Sequence, residues 1–272
     1  MNNFTQRTLS GVAFVAIIAG ALIGGPLAFL PVFALISGLC LNEFVHLAKR
    51  NQAAPGRAMV IAAGTLIFLA HHLAAAGYWK GSDLHGLFLL PIVMWVWELV
   101  RQPKNSSRNL AYALMALIYP ASFMASINYL AFPPEAGTYS PWIILGLFLL
   151  IWTFDTTAYL TGKWLGRHKI DRRLSPGKSW EGVLGGLIFG VFMSWILTLL
   201  LEPLPFVHWA GLAVIVALAG TTGDMSESAL KRNAGLKDSG QILPGHGGML
   251  DRMDAALFVF PLAFLYLKYF VW

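Results

Sequence analysis

The sequence predicts an all-α, polytopic membrane protein, and its composition and long apolar stretches both indicate that class. Hydrophobic residues make up 57% of the 272 positions and charged residues only 12%, about half the charged share of an ordinary soluble domain. A soluble domain of this size cannot bury so much apolar surface, so the solvent of most of the chain must be lipid. In hydrocarbon every backbone N–H and C=O must be paired within its own segment, which selects helices over open strands.

A transmembrane helix needs about 20 mostly apolar residues, and nine stretches of the sequence approach that length. They are Leu9–Gly25, Leu27–Val45, Met59–Ala75, Leu84–Val100, Leu110–Leu130, Trp142–Thr161, Val183–Leu201, Ala210–Thr222 and Ala255–Val271. The eighth is short, so we expect its helix to continue past Asp224. The first resembles a signal peptide, but a second apolar stretch follows it at once, so we expect an uncleaved span. Residues 1–272 are interpreted as one integral membrane domain.

The basic residues are concentrated on one side of the predicted spans. If successive spans alternate in direction, all but two of the 19 Lys and Arg residues fall on the side of the N-terminus. The two exceptions are Lys80 and Lys268. Because loops rich in Lys and Arg stay cytoplasmic, we expect the N-terminus inside and the C-terminus outside, in the inner (cytoplasmic) membrane of the cell. This topology also accounts for the net charge of +6, so nucleic acid is not an expected partner.

The two parts of the chain differ in their chemistry. Residues 1–150 have short loops and are expected to be mainly scaffold helices. Within them, Glu43 and His46 lie three residues apart near the cytoplasmic end of the second span, where we expect them to face water, with a substrate contact as the alternative. Most of the 13 acidic residues follow from Asp155 onward. Ionisable residues at membrane depth are costly and their default interpretation is functional, so residues 151–272 are expected to carry the active site.

Two short regions of this second part combine polar side chains with glycine. In the first, Asp155, Tyr159, Gly162 and Gly166 share one helix face. The two glycines allow another helix to approach closely, and Asp155 is either a buried hydrogen-bond partner or part of a polar cavity. The second region, Ser175–Glu181, resembles a helix N-terminus with free N–H groups and hydroxyls, an arrangement that binds anions. Its Gly-Lys-Ser lacks the leading glycine and the strand of a P-loop, which excludes that motif.

The third region, from Gly223 to Asp254, has the highest density of functional side chains. Its acids, bases, hydroxyl, histidine and glycines include Asp224, Glu227, Ser228, Lys231, Arg232, Lys237, Asp238, His246, Gly247, Gly248, Asp251, Arg252 and Asp254. Carboxylate oxygens hold Mg²⁺, glycine-rich backbone approaches phosphate closely, and Lys and Arg neutralise the remaining charge. A complex of a metal with a triphosphate needs all three, so this region is the predicted nucleotide site.

The third region resembles the signature of the phosphatidate cytidylyltransferases, also called CDP-diacylglycerol synthases. The signature residues are Ser228, Lys231, Arg232, Lys237, Asp238, Gly240 and the run from Leu243 through Pro244 and His246 to Asp254. The first two regions also look like that family, with Ser179 where Thr is more usual. The resemblance implies dependence on Mg²⁺, CTP and phosphatidic acid as substrates at a lipid bilayer, CDP-diacylglycerol and pyrophosphate as products, and a homodimer.

The chemistry of the reaction that the resemblance implies suggests a role for each residue. The expected metal ligands are Asp224 and Asp251, with Asp254, Glu227 and Asp155 as further ligands or as groups that orient them, around one Mg²⁺ or around Mg²⁺ and a second cation. The expected phosphate-binding bases are Lys231, Arg232, Lys237 and Arg252, and His246 either donates to phosphate or orders the loop. The remaining expected substrate contacts are Tyr159, Ser175, Lys178, Ser179, Glu181, Ser228, Asp238, Gly247 and Gly248.

Two other functions compete with this one. Another CTP-using lipid transferase, such as a polyprenol kinase or an archaeal-lipid cytidylyltransferase, has the same need for a metal–triphosphate complex. A secondary transporter would place ionisable groups near mid-membrane in corresponding spans of two inverted repeats. The sequence shows no internal repeat, and its charge cluster lies in one half at the cytoplasmic ends of the spans, which argues against a transporter.

Overall fold

The protein is a bundle of apolar helices with one short β-hairpin, in a computed structural model that describes residues 3–101, 105–134, 138–201, 203–243 and 245–272. Side chains are described from residue 8 onward. Three residues used in the sequence argument therefore lie outside the described side chains: Arg7 and Lys104, which contribute to the predicted orientation, and Pro244 of the signature.

Nine helices occur within these described ranges. They are α1 (Asn3–Ile23), α2 (Pro26–Arg50), α3 (Arg57–Ala75), α4 (Gly81–Arg101, a 3₁₀-helix up to Phe88), α5 (Ser106–Ala131, with a π-helical turn at Leu117–Ser122), α6 (Trp142–Leu165), α7 (Trp180–Leu200), α8 (Phe206–Asn233, with a π-helical turn at Val216–Gly220) and α9 (Leu250–Phe270). The helices α2 to α9 are long and apolar enough to cross a membrane. The predicted all-α, polytopic class is therefore confirmed.

The first and eighth predicted spans have different outcomes. The eighth helix continues to Asn233, well past Asp224, as expected. The part of α1 with described side chains, Thr8–Ile23, is apolar but shorter than the about 20 residues that a crossing needs. The ninth span, and with it the orientation of the two termini, stays a prediction.

A short antiparallel hairpin, which the sequence did not predict, connects α6 to α7. Its strands are β1 (Lys169–Asp171) and β2 (Ser175–Ser179). The side chain of Asp171 closes the turn, because its Oδ1 accepts the backbone N–H groups of Arg173 at 2.7 Å and Leu174 at 3.1 Å. Strand β2 runs directly into α7, so the hairpin sets the position at which that helix begins.

The helices α6 and α7 pack closely because small residues face each other. A Cβ atom at Gly182 would lie only 2.8 Å from the carbonyl oxygen of Ala158 and 3.3 Å from the Cα of Gly162. Glycine at 182 thus allows backbone-to-backbone contact, the arrangement that helix pairs in membranes favour. The predicted close approach of a helix at Gly162 is confirmed, and its partner is α7.

The centre of the bundle is α9, which contacts α2, α5, α6 and α8. The outward face of α7 is exposed and apolar at helical spacing, with Leu184, Ile188, Phe192, Trp195 and Leu199 all more than half exposed. Such a stripe suits contact with lipid, because it would be unfavourable against water. The beginning of α9, carrying the end of the signature, therefore belongs to the helix at the centre of the bundle.

Candidate functional site

The start of α7 is fixed by two polar side chains of the predicted anion-binding region. Ser179 is 2% exposed and caps the helix, since its Oγ accepts the N–H of Gly182 at 3.2 Å. Glu181 accepts the backbone N–H groups of Arg167 and His168, and its Oε1 lies 2.5 Å from His168 Nδ1. The Glu181 contacts attach α7 to the segment after α6, whereas the Ser179 contact fixes the first turn of α7.

Carboxylates of α6 and α8 meet in front of the hairpin. Asp155 of α6 and Asp224 of α8 line the same cavity of about 270 Å³, together with Tyr159 and Ser175. Lys178 of β2 reaches into this cavity and forms an ion pair with Asp224. Five predicted site residues are thus brought together from three separate elements.

Asp155 also lines a neighbouring cavity of about 150 Å³. The other polar walls of this second cavity include His246, Asp251, Arg252 and Asp254, which come from the loop before α9 and from the first turn of α9. Because Asp155 is common to both, we treat the two cavities as one feature and call it the acidic cleft.

Behind the acidic cleft, one lysine is shared by two carboxylates. Lys231 Nζ lies 3.1 Å from Glu227 Oε2 and 2.6 Å from Asp251 Oδ1. Glu227 is fully buried, and within the described residues its Oε1 has no hydrogen-bond partner. Asp254 lies beside both Asp224 and Glu227. A buried carboxylate oxygen that faces other carboxylates without a donor is costly unless a proton or a cation neutralises it.

The donor set around this oxygen fits Mg²⁺ in its chemistry. Asp224, Glu227 and Asp254 supply hard carboxylate oxygens, the ligand type that Mg²⁺ prefers. Across the described parts of the chain, however, no three His, Cys, Asp or Glu side chains converge as in a formed metal site. Lys178 and Lys231 provide the nearby positive charge instead. The type of donor and the unpaired oxygen of Glu227 are therefore the two features that favour a metal here.

The contacts of Asp251 order the loop that precedes α9. Its Oδ2 accepts the backbone N–H of Ser239 at 2.9 Å, the Ser239 hydroxyl at 3.0 Å and the backbone N–H of Gly248 at 2.7 Å. With Lys231 on its other oxygen, Asp251 receives four donors. Its expected role as a metal ligand stays a prediction, and the contacts support a role in holding the loop closed.

A residue from the other half of the chain completes this loop. Glu43 of α2 is 3% exposed. It accepts the backbone N–H groups of Met249 at 2.9 Å and Leu250 at 2.8 Å. The Ser239 hydroxyl lies 2.9 Å from Glu43 and 3.0 Å from Asp251, so the two carboxylates share its single proton. A Cβ at Gly248 would collide with its carboxylate. The expectation that Glu43 faces water is wrong, because the free N–H groups at the start of α9 draw its charge inward.

The side chain of His246 contacts α1. Its Nδ1 lies 2.7 Å from Ser10 Oγ, and its backbone oxygen accepts from Arg252 Nε at 3.1 Å. A Cβ at Gly11 would lie 3.3 Å from the imidazole ring, so the α1 backbone is close by. Of the two roles considered for His246, these contacts favour ordering the loop.

Lys237 and Asp238 of the signature lie away from the acidic cleft. They line a separate cavity of about 540 Å³ with Lys49, Arg50 and Arg57 from the ends of α2 and α3. His46, which is exposed as expected, lines the same cavity. The signature residues of this loop are therefore divided between this separate cavity and the acidic cleft.

The other signature residues have local roles. Arg232 donates to the backbone oxygen of Leu236 at 2.9 Å, after the end of α8. Gly247 has a φ of +84°, a conformation that favours glycine. A Cβ there would meet the carboxylate of Asp251 at 2.7 Å. Ser228 is half-buried on α8 and does not line the acidic cleft.

Comparison with known proteins is consistent with this geometry. The sequence model of the cytidylyltransferase family matches residues 5–270. The chain belongs to the cytidylyltransferase family. Among curated members, the phosphatidate cytidylyltransferase of Staphylococcus aureus is 33% identical over 266 residues, and that of Staphylococcus saprophyticus is 31% identical over 261 residues. In both comparisons the alignment covers 94% of this chain and 96% of the relative, so the cytidylyltransferase relationship extends over all nine helices and the acidic cleft.

Proposed function

We propose that this chain transfers the cytidylyl group of CTP to phosphatidic acid, giving CDP-diacylglycerol and pyrophosphate. The observation that carries the proposal is the acidic cleft, where carboxylates and bases from β2 and three helices converge within a cytidylyltransferase. The relatives named phosphatidate cytidylyltransferase, which align over nearly their whole length, support the choice of substrates.

The reaction requires two anionic substrates to meet. A phosphate oxygen of phosphatidic acid attacks the α-phosphorus of CTP, the bond from that phosphorus to the bridging oxygen breaks, and pyrophosphate leaves with the electron pair. Such transfers depend on positioning and charge neutralisation more than on covalent catalysis. Lys178 and Arg252 line different cavities of the acidic cleft. We propose that they hold the phosphates of the two substrates.

Mg²⁺ would be held between the acidic cleft and the buried Glu227 behind it, through Asp224, Glu227 and Asp254, with Asp155 adjacent. When bound, the ion would neutralise charge on the attacking and leaving oxygens. Lys231 then keeps the remaining charge of Glu227 and Asp251 compensated. Asp251 remains a candidate ligand, which would require it to exchange its contact with Lys231 for one with the ion.

We place the cleft at the cytoplasmic face of the inner membrane, by the distribution of basic residues. The helix ends that meet at the cleft are the ends that carry most Lys and Arg, and such ends stay cytoplasmic. CTP is cytosolic and too highly charged to cross hydrocarbon, whereas phosphatidic acid is held in the bilayer by its acyl chains. A cleft at that interface is accessible to both.

One assay tests the reaction. Purified protein in detergent is given phosphatidic acid, Mg²⁺ and CTP labelled either in the cytosine ring or at the γ-phosphate. We expect the ring label in the lipid product, the γ label in pyrophosphate, and no labelled lipid when diacylglycerol or a polyprenol replaces phosphatidic acid. Transfer of the γ label to a lipid alcohol would identify a CTP-dependent kinase and overturn the proposal.

We also propose that the chain acts as a homodimer, as the family resemblance implies. Light scattering of the detergent-solubilised protein, corrected for bound detergent, should give twice the chain mass. A monomer mass for fully active protein would contradict this.

A further inference from the structure

An apolar groove lies between α1 and α2. It has a volume of about 580 Å³. Its walls include Leu9, Ala13 and Ile17 of α1 and Leu35 and Leu39 of α2. Ser10 is the only polar residue among those that line it, so the groove suits hydrocarbon.

The groove adjoins the acidic cleft and shares part of its wall. Ser10, Phe14 and Leu243 line both the groove and the cavity that contains Asp155 and Arg252. A molecule with a charged end in the cleft and an apolar tail in the groove would therefore be bound along one continuous surface.

The length of the groove suits one chain of a membrane lipid. The stretch of α1 from Leu9 to Ile17 rises about 12 Å at 1.5 Å per residue. One leaflet of the hydrocarbon core is about 15 Å thick, half of the about 30 Å of a bilayer. The groove thus covers most of the depth that a single acyl chain occupies.

We infer that this groove receives one acyl chain of the phospholipid substrate while its phosphate lies in the acidic cleft. The inference rests on the proposed function. The groove supplies position more than affinity, because the chain exchanges one apolar environment for another. It would hold the phosphate next to Asp155 and Arg252 and so favour long-chain lipids over short-chain ones.

Filling the groove tests this inference. Ala13→Trp places an indole on the α1 wall, and Val12→Trp is the matched control, because Val12 is 62% exposed and does not line the groove. Each variant is assayed with long-chain and with dihexanoyl phosphatidic acid. For Ala13→Trp we expect kcat/KM for the long-chain lipid to fall at least about tenfold, because a displaced acyl chain misplaces the phosphate, and a misplacement of about 1 Å can cost about a hundredfold. Its kcat/KM for the short-chain lipid, its KM for CTP and all constants of Val12→Trp should stay within about twofold.

A binding experiment tests the inference independently of the turnover rates of the variants. Wild-type protein is illuminated with phosphatidic acid carrying a photoactivatable group midway along one acyl chain, and the labelled residues are mapped by mass spectrometry. Labelling of Ala13 and Leu39 in preference to Val12 supports the groove. Equal labelling of Ala13, Leu39 and Val12 would overturn the inference, and so would equal effects of the two tryptophan variants on both lipids. In either case bulk lipid or a second copy of the chain would occupy the groove. Failure of wild-type protein to convert any phosphatidic acid contradicts the proposed function instead.

Discussion

Replacing Glu43 tests whether the loop before α9 must be ordered for turnover. In Glu43→Gln the amide oxygen can still accept two of the donors, Leu250 N–H and the Ser239 hydroxyl. The amide NH₂ then faces the N–H of Met249, which is left buried and unpaired. Such a donor costs about 1–3 kcal/mol. If that energy normally holds the loop in its ordered state, kcat/KM should fall between about fivefold and about 150-fold, at 1.4 kcal/mol per tenfold change.

The control for this prediction is a second buried glutamate remote from the loop. Glu98 is 1% exposed and accepts the backbone N–H of Gly56 at 2.7 Å, so Glu98→Gln should lower stability to a comparable degree. Thermal unfolding in detergent and steady-state kinetics with CTP are measured for both variants. We expect the two melting temperatures to fall together, while only Glu43→Gln loses kcat/KM. Equal kinetic losses in both variants at equal stability would refute the positioning role of Glu43.

Three further predictions concern the cleft, the helix packing and the orientation of the chain. Asp224→Asn should lower kcat by at least about a hundredfold, since a metal-bound carboxylate contributes several kcal/mol in the transition state, and unchanged turnover at saturating Mg²⁺ would exclude that role. Gly182→Ala should destabilise the protein by about 1–3 kcal/mol through overpacking. Gly190→Ala should be tolerated in the same unfolding assay, because the new Cβ would meet only the Cβ of a neighbouring alanine at 3.5 Å. A cysteine at exposed Gln241, in a Cys40→Ala background, should react with a membrane-impermeant thiol reagent only in inside-out vesicles, and reaction in right-side-out vesicles would reverse the predicted topology.

The hydropathy of the sequence predicted the positions of the spans well. It underestimated the length of the helices at the ends that carry the site residues. The last span was predicted from Ala255, whereas α9 begins at Leu250. The omitted first turn contains Asp251, Arg252 and Asp254, because polar residues lower the mean hydropathy of any window that includes them. A span predicted from apolar residues alone is thus shorter than the helix, and the missing part is the end where the functional side chains lie.

The contacts that assemble the cleft could not be predicted from periodicity. A helical repeat shows which residues share a face of one helix, but not which helices meet. The pair of Glu43 and Leu250 is separated by 207 positions and that of Lys178 and Asp224 by 46. The β-hairpin was also missed, because its two strands are short, polar and without alternation of apolar residues.

The helix α1 forms one wall of the groove. Polar contacts near both ends of α1 hold this helix in place. At one end Ser10 contacts His246, so α1 is attached to the same loop that Glu43 and Asp251 order. At the other end the hydroxyl of Tyr139 donates to the backbone oxygen of Leu22 at 2.8 Å. Burial raises the pKa of Tyr139 to about 12, so this hydroxyl keeps its proton at a pH where an exposed tyrosine, with a pKa of about 10, loses it. The groove and the cleft therefore share one support, and a change in the loop should alter the lipid and the nucleotide sites together.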